Sequence, residues 1–257
     1  MKMYLFKAST LETDKGYFVQ GATGEFNAPV PYYLIEHEKG YVLFDSGHNW
    51  ATVEDPKKVL HPGIIAAYQP QVYEDAYVLN TLKKVGIKPE DIVYNVCSHL
   101  HFDHAGGIGL FPNAKYILQK KELYYALVPD PFMKNAYLRE DFDKEVDWLF
   151  LDGWNSNKYD IFGDGKMIIY YTPGHTPGHQ SLLLNFAQDG QILLTADACY
   201  TTDNLEGLLL SGLSCDNSTY IDTLRTIGNL KKQGVKIITG HDPDDWKKLK
   251  QYPEFYS

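Results

Sequence analysis

The chain has 257 residues, 44% of them hydrophobic, with 24 basic against 33 acidic side chains and a formal net charge of −9. That length can bury a full core, and α/β folds of this size commonly form one domain, so residues 1–257 are read as a single domain. No stretch approaches the ~18 consecutive apolar residues of a membrane span, and the lysine pairs at 57–58, 83–84, 231–232 and 247–248 are scattered rather than gathered into the stripe that a nucleic-acid partner needs.

The opening Met1–Lys7, followed by Glu12 and Asp14, offers no secretory apolar core, and Cys97, Cys199 and Cys215 cannot all pair. A reducing cytoplasm is therefore the expected location. In chain order, strands are predicted near 17–20, 32–36 and 41–45. A helix over 73–85 follows, ended by Gly86 in a left-handed turn, with Pro89 beyond. The apolar run Ile92–Cys97 reads as a buried strand, then a helix at 103–111, a strand at 114–118 and a helix at about 120–127.

From Val128 to Lys158 the chain is loop-rich and carries Phe132, Met133, Tyr137, Leu138, Phe142, Trp148, Phe150 and Trp154. Half or more of these read as a satellite core packed on the second sheet, and the rest as a pocket wall or a homodimer interface. The segment 51–71, with His61 and Tyr68, is a second candidate wall. Strands near 159–162, 166–171, 180–186 and 191–196 come next, with Asp189-Gly190 as a hairpin turn. A helix at about 218–233, capped from Asn217-Ser218-Thr219 and closed by Gly234, leads to a strand at 235–239. Two similar halves in this order predict an α/β four-layer sandwich, with helices outside two facing sheets and the site along one sheet edge.

The most informative run is His99-Leu100-His101-Phe102-Asp103-His104, directly after a buried strand. Four imidazole and carboxylate groups in six residues suit a borderline divalent ion such as zinc. In extended chain, residues i and i+2 share a face, so His99 and His101 can grip one ion. Once Ala105-Gly106-Gly107 turns the chain, Asp103 and His104 can face a second. Further candidates follow later strands: His175 in the loop Thr172–His179, Asp197 after Ile192–Thr195, and His241 after Val235–Gly240. Taken singly, each reads as a turn, cap or surface residue. Four strand-end sites in this order point to a metal centre. Gly106-Gly107-Ile108-Gly109 does not match a dinucleotide fingerprint.

These motifs resemble the metallo-β-lactamase-fold hydrolases and, within them, the N-acyl homoserine lactonases. The superfamily pattern of His-x-His-x-Asp-His, a later Gly-His, a bridging Asp and a final His is matched by His99, His101, Asp103, His104, His175, Asp197 and His241. The narrower likeness rests on Ser98–Gly107, Thr172–Ser181, Asp197-Ala198-Cys199-Tyr200, and Pro29–Glu36 with Phe44-Asp45-Ser46-Gly47. It spans roughly residues 28–257.

The resemblance implies a four-layer αββα sandwich of the metallo-β-lactamase type and two divalent ions per chain, zinc by expectation, with iron, manganese or cobalt as alternatives. His99, His101 and His175 are assigned to one ion, Asp103, His104 and His241 to the other, and Asp197 to both. A hydroxide shared by the ions is expected to attack a lactone carbonyl. Tyr200, three residues past the bridging Asp, would stabilise the oxyanion, and Asp103 would relay a proton to the leaving oxygen.

The expected substrate is a small molecule, an N-acyl homoserine lactone, and the expected role is degradation of a quorum signal. Another small ring, such as a pyridine-derived lactone, would use the same site. Thioester or phosphodiester hydrolysis and iron-dependent redox chemistry are less favoured, and a purely structural metal module least. His179 is expected beside the ligands rather than among them, and Cys199 in packing. His37, His48 and His61 are read as structural or surface residues.

Overall fold

Successive residues in the strands bury alternate faces into different cores, and that alternation builds two sheets. The computed structural model describes residues 1–153 and 157–257. The first part of the chain supplies β1 (Lys2–Asp14), β2 (Glu25–His37), β3 (Gly40–Phe44), β4 (Pro70–Val72), β5 (Ile92–Val96), β6 (Lys115–Gln119) and β7 (Trp148–Leu151). These pair in the order β4-β1-β2-β3-β5-β6-β7. The second part supplies β8 (Lys158–Asp160), β9 (Met167–Tyr171), β10 (Gln180–Asn185), β11 (Gln191–Leu194) and β12 (Lys236–Ile238), paired in the order β12-β11-β10-β9-β8. Each half of the chain thus builds one sheet.

In β2, Tyr33 and Ile35 face the space between the sheets, while Val30, Tyr32 and Leu34 face outward. From the second sheet, Leu182, Leu184, Ile192 and Leu194 meet the inward set, and Leu183 and Leu193 pack outward with Leu224 and Ile227 of the helix Asn217–Lys232. Helices Val78–Val85 and Lys120–Leu127 cover the outer face of the first sheet. The layers run helix, sheet, sheet, helix, which is the four-layer αββα sandwich. Among the described residues no helix is long and apolar enough to cross a membrane.

Several predicted elements are displaced, each for a physical reason. The strand expected at 17–20 is absent: Lys15–Tyr17 is a single 3₁₀ turn, and the strand is the 13-residue β1 before it. A bulge between Lys7 and Ser9 reverses the faces of β1. Met3 and Leu5 therefore enter the inter-sheet core while Ala8 and Leu11 enter the outer one, which hides the alternation. The helix expected at 73–85 begins only at Val78, after a turn over Glu74–Ala76, and ends at Gly86 with φ +79°.

No helix forms at 103–111. The Gly106 amide donates to Gly47 O at 2.8 Å and the Gly107 amide to Ser46 Oγ at 2.9 Å, so these donors serve the neighbouring loop instead of a helical ladder. A Cβ at Gly106 would lie 2.0 Å from the Asn49 amide nitrogen, so this close approach requires glycine. The helix Asn217–Lys232 is capped by Asp216, whose Oδ1 accepts from the Thr219 amide at 3.0 Å, rather than from within 217–219.

The aromatics after Val128 also lie elsewhere than expected. Met133, Tyr137 and Phe142 join the core outside the first sheet, not the second, and Leu138 packs with Leu60, Ile64 and Phe102. Trp148 stacks on Phe150 at the sheet edge, and Trp154 lies outside the described residues.

β3, β5 and β6 run parallel, as do β11 and β12. In open α/β sheets the carboxyl ends of parallel strands are where ligands gather. Here those ends deliver Asp45, the run from His99 to His104, Asp197 and His241. The inter-sheet core holds that edge in place. Leu194, fully buried at the end of β11 and three residues before Asp197, tests the coupling. Leu194→Ala should lower unfolding free energy by about 2–5 kcal/mol. A urea titration with unchanged slope reads this directly, and a loss below about 1 kcal/mol would contradict the packing described.

Candidate metal centre

His99 to His104 begin three residues after β5, anchored where Cys97 N donates to Ile117 O at 3.0 Å and Ser98 N to Asp45 Oδ1 at 2.7 Å. His175 sits in the loop between β9 and β10, whose ends are tied by Thr172 N to His179 O at 3.0 Å. Asp197 lies in a 3₁₀ turn after β11, and His241 follows β12. These seven residues converge, none of them more than 6% exposed. They fall into two sets: His99, His101, His175 and Asp197, and beside them Asp103, His104 and His241.

Asp197 stands between the sets. Its Oδ2 lies 3.3 Å from His175 Nε2 and 3.6 Å from His99 Nε2, while its Oδ1 lies 3.0 Å from His241 Nε2 and 3.3 Å from His104 Nε2. His101 Nδ1 is 3.1 Å from His175 Nε2, and Asp103 Oδ2 is 3.6 Å from His104 Nε2. Ligand atoms held tetrahedrally about 2.0–2.1 Å from a zinc-like ion lie about 3.3 Å from one another. The observed spacings, 3.0 to 3.6 Å, are edges of such polyhedra. The Nε2 atoms of His99 and His104 are buried without a hydrogen-bond partner, which is costly unless a cation takes their lone pairs. The donor set therefore fits two divalent ions.

The outward nitrogens of His99, His104, His175 and His241 are committed to acceptors, which selects the tautomer that presents a lone pair inward, whereas the outward Nε2 of His101 has no hydrogen-bond partner. His175 Nδ1 donates to Leu213 O at 2.9 Å, His241 Nδ1 to Pro29 O at 2.8 Å, and His104 Nδ1 to Asp45 Oδ2 at 2.9 Å. His99 Nδ1 meets Ser98 Oγ at 2.9 Å, and that hydroxyl donates to Asp45 Oδ2 at 2.8 Å. Asp45, a non-glycine residue at φ +58°, is thus attached to both sets. Sequence reasoning noted Asp45 only as part of a hairpin, although an Asp directly after a buried strand was the same signal used for Asp197. It also passed over Glu122, a fully buried carboxylate that accepts from the Leu100 amide at 3.1 Å and from Thr176 Oγ1 at 2.6 Å. Nothing about its place in a helix marked it.

Charge follows this layout. Burial, then the neighbouring imidazoles, pulls His99 and His101 well below their usual range. Burial also pulls His104 and His241 down, but the carboxylates around them outweigh it and hold both above it: Asp103, Asp197 and Asp45 at His104, and Asp197 with Asp103 at His241. Burial opposes a charge on Asp197, yet the surrounding imidazoles, His104 and His241 foremost, keep its carboxyl well below the usual range. Burial pushes Glu122 up to about 7 against its four hydrogen-bond donors.

Tyr200 is buried between the rings of Phe18 and His241, 5.0 and 5.2 Å away. Its Oη lies 3.2 Å from His175 Nδ1, a nitrogen already donating to Leu213 O. The phenol proton is therefore free for another acceptor. Burial and then the Asp197 charge raise its pKa well above the usual range, so the hydroxyl stays protonated. Tyr200, His101, Asp103, Asp197 and His241 line one cleft. Its apolar wall comes from Leu11, Phe18, Ile64, Tyr68, Phe102 and Leu213, and among the described residues of the segment 128–158 only Ala136 joins it.

The other histidines lie outside both sets. His179 Nδ1 meets Thr172 Oγ1 at 3.0 Å, His48 Nε2 meets Ser9 Oγ at 2.8 Å, His37 pairs with Asp164 at 3.0 Å, and His61 caps the helix Pro62–Tyr68. Cys199 packs under the helix Asn217–Lys232.

Because His104 and His241 hold protons that an ion must displace, metal uptake by the metal-free protein should release protons. Apparent affinity should then rise with pH through neutrality, by up to about tenfold per unit for each proton displaced. Titration in weakly buffered solution measures this, and uptake without proton release would contradict the charge layout. Asp45→Asn should weaken retention of metal by about 10–100-fold while the chain stays folded. Elemental analysis after dialysis against a graded chelator reads the loss, and wild-type retention would remove Asp45 from the support of the site.

A family model described as the Metallo-beta-lactamase superfamily matches residues 27–241 of this chain. The N-acyl homoserine lactonase AttM of Rhizobium radiobacter is 39% identical over 264 residues, covering 100% of this chain and 99% of the relative. An N-acyl homoserine lactonase of Bacillus thuringiensis is 34% identical over 231 residues, 89% of this chain and 87% of its own. Among solved structures, an N-acyl homoserine lactone hydrolase with the product N-hexanoyl-L-homoserine at its catalytic metal centre superposes with a TM-score of 0.88. It shares 31% identity and covers 99% of this chain and 98% of that one.

Proposed function

The chain belongs to the metallo-beta-lactamase superfamily, and from that premise we propose that it hydrolyses N-acyl homoserine lactones to the open hydroxy acids. The observation that carries this reading is the Tyr200 hydroxyl, whose proton is not taken up by the His175 Nδ1 beside it, in the same cleft as ligands of both sets and an apolar wall. The full-length likeness to N-acyl homoserine lactonases supports it.

His99, His101 and His175 would hold one ion and Asp103, His104 and His241 the other, with Asp197 shared by both. Two divalent ions supply, when bound, positive charge for a carbonyl oxygen and a water acidic enough to act near neutral pH. Zinc suits a buried set of imidazoles and carboxylates, with iron, manganese or cobalt as the alternatives.

Tyr200 donates to the carbonyl oxygen as negative charge collects on it, a contribution that grows towards the transition state. Water adds to the carbonyl carbon, and the bond to the ring oxygen breaks. Asp103, which lines the cleft, carries a proton to that oxygen, leaving a hydroxyl and a carboxylic acid. Leu11, Phe18, Ile64, Tyr68 and Leu213 seat the acyl chain and keep bulk water from the amide end. Among the described residues no Lys or Arg lines this cleft to hold a phosphate, which favours an uncharged ring. The shared inter-sheet core supports reading the chain as one domain, and three free cysteines suit a reducing compartment.

Tyr200→Phe should keep both ions and lose kcat by roughly ten- to a thousandfold on homoserine lactones, the range for one oxyanion donor. Proton release on ring opening provides the assay, with metal content measured on the same sample. Unchanged turnover would remove the phenol from the reaction. A loaded enzyme that leaves homoserine lactones of short and long chain intact, yet turns over thioesters, phosphodiesters or another lactone, would defeat the substrate assignment.

A further inference from the structure

We infer that Glu122 is the positioning residue of the first ligand set, fastening the loop that carries His99 and His101 to the loop that carries His175. The inference rests on the two-ion reading of the site. Glu122 lies in the helix Lys120–Leu127, three residues beyond β6, and touches none of the seven candidate ligands by hydrogen bond. It is nonetheless fully buried, where an ionised carboxylate persists only if every lone pair is engaged.

Its two oxygens serve two different loops. Oε1 accepts from the Leu100 amide at 3.1 Å and from Tyr137 Oη at 3.2 Å. Oε2 accepts from Thr176 Oγ1 at 2.6 Å and from the Gly178 amide at 3.2 Å. Leu100 stands between His99 and His101, and Thr176 directly follows His175. One carboxylate therefore sets the separation of both backbones, and with it the 3.1 Å approach of His101 Nδ1 to His175 Nε2.

Two neighbours stiffen the joint. A Cβ at Gly178 would lie 2.2 Å from the Glu122 amide nitrogen, so the later loop rests directly on the helix. Tyr137, held by Glu122, presents its ring edge-on to His101 at 4.6 Å. The second set has different supports, Asp45 for His104 and the Pro29 carbonyl for His241. Ligand geometry must hold to within about 0.5 Å for full affinity, so a loosened Glu122 should be felt at one ion and not at the other.

The test is a two-step titration of the metal-free protein with zinc, repeated for Glu122→Gln and Thr176→Val. Gln keeps the shape but places an amide donor against groups that already donate. In Glu122→Gln one binding step should weaken by about 10–100-fold while the other keeps its wild-type affinity. The visible absorption of the cobalt-loaded variant should also change. Thr176→Val, which removes only a hydroxyl, should shift the same step in the same direction by less, and it decides the matter if Glu122→Gln does not fold. Two wild-type affinities with an unaltered cobalt spectrum overturn the inference, as does an equal weakening of both steps. A wild-type chain that binds fewer than two ions defeats the two-ion reading and the inference with it.

Discussion

A carboxylate between two groups of imidazoles governs this molecule. Asp197 is 4% exposed, and a charge so buried persists only when surrounded by compensating partners. Each of its oxygens faces a different set at 3.0 to 3.6 Å, so both sets must converge on one carboxyl group. The strand ends that carry them must reach a common edge, and the parallel pairs β3-β5 and β11-β12 make that possible. The cluster cannot satisfy itself before ions are present, since the Nε2 atoms of His99 and His104 have no hydrogen-bond partner. The apolar layer between the sheets must therefore hold the edge in shape from behind.

The supports of the histidines follow the same logic. Carbonyls of Leu213 and Pro29 take the outward protons of His175 and His241, and Asp45 takes that of His104. Each support comes from a segment remote in sequence from the ligand it orients, so the site closes only when the whole sandwich is assembled. Chemistry and tertiary structure are thereby linked, and no isolated segment of the chain would retain the geometry.

Much of this was legible in the residues. Short continuous apolar runs located β9, β10 and β11 to within two residues, because each strand sends one face to each of two cores. The residues that converge at the site could be named because their types are unusual at strand ends. What stayed hidden depended on partners distant in the chain. β1 escaped because its bulge mixes the two faces, and the turn at 103–111 read as helical because its amides are diverted to Ser46 and Gly47. Asp45 and Glu122 look like ordinary polar residues until the loops they join are in view. The aromatics after Val128 read half or more as a satellite core on the second sheet and the rest as a pocket wall or dimer interface, yet the first sheet's outer core absorbs Met133, Tyr137 and Phe142.

Most of the cleft wall, Leu11, Phe18, Ile64, Tyr68 and Leu213, comes from segments that carry none of the candidate ligands, while Phe102 lies between His101 and Asp103. Leu11, Ile64 and Tyr68 can therefore change without touching a ligand, whereas Phe102, and Phe18 with its ring 5.2 Å from that of His241, are tied to the centre. A lineage can exchange wall residues one at a time, trying new chain lengths or ring sizes, while the costly buried charges remain untouched. Such an arrangement permits gradual divergence in diet without an inactive ancestor in between.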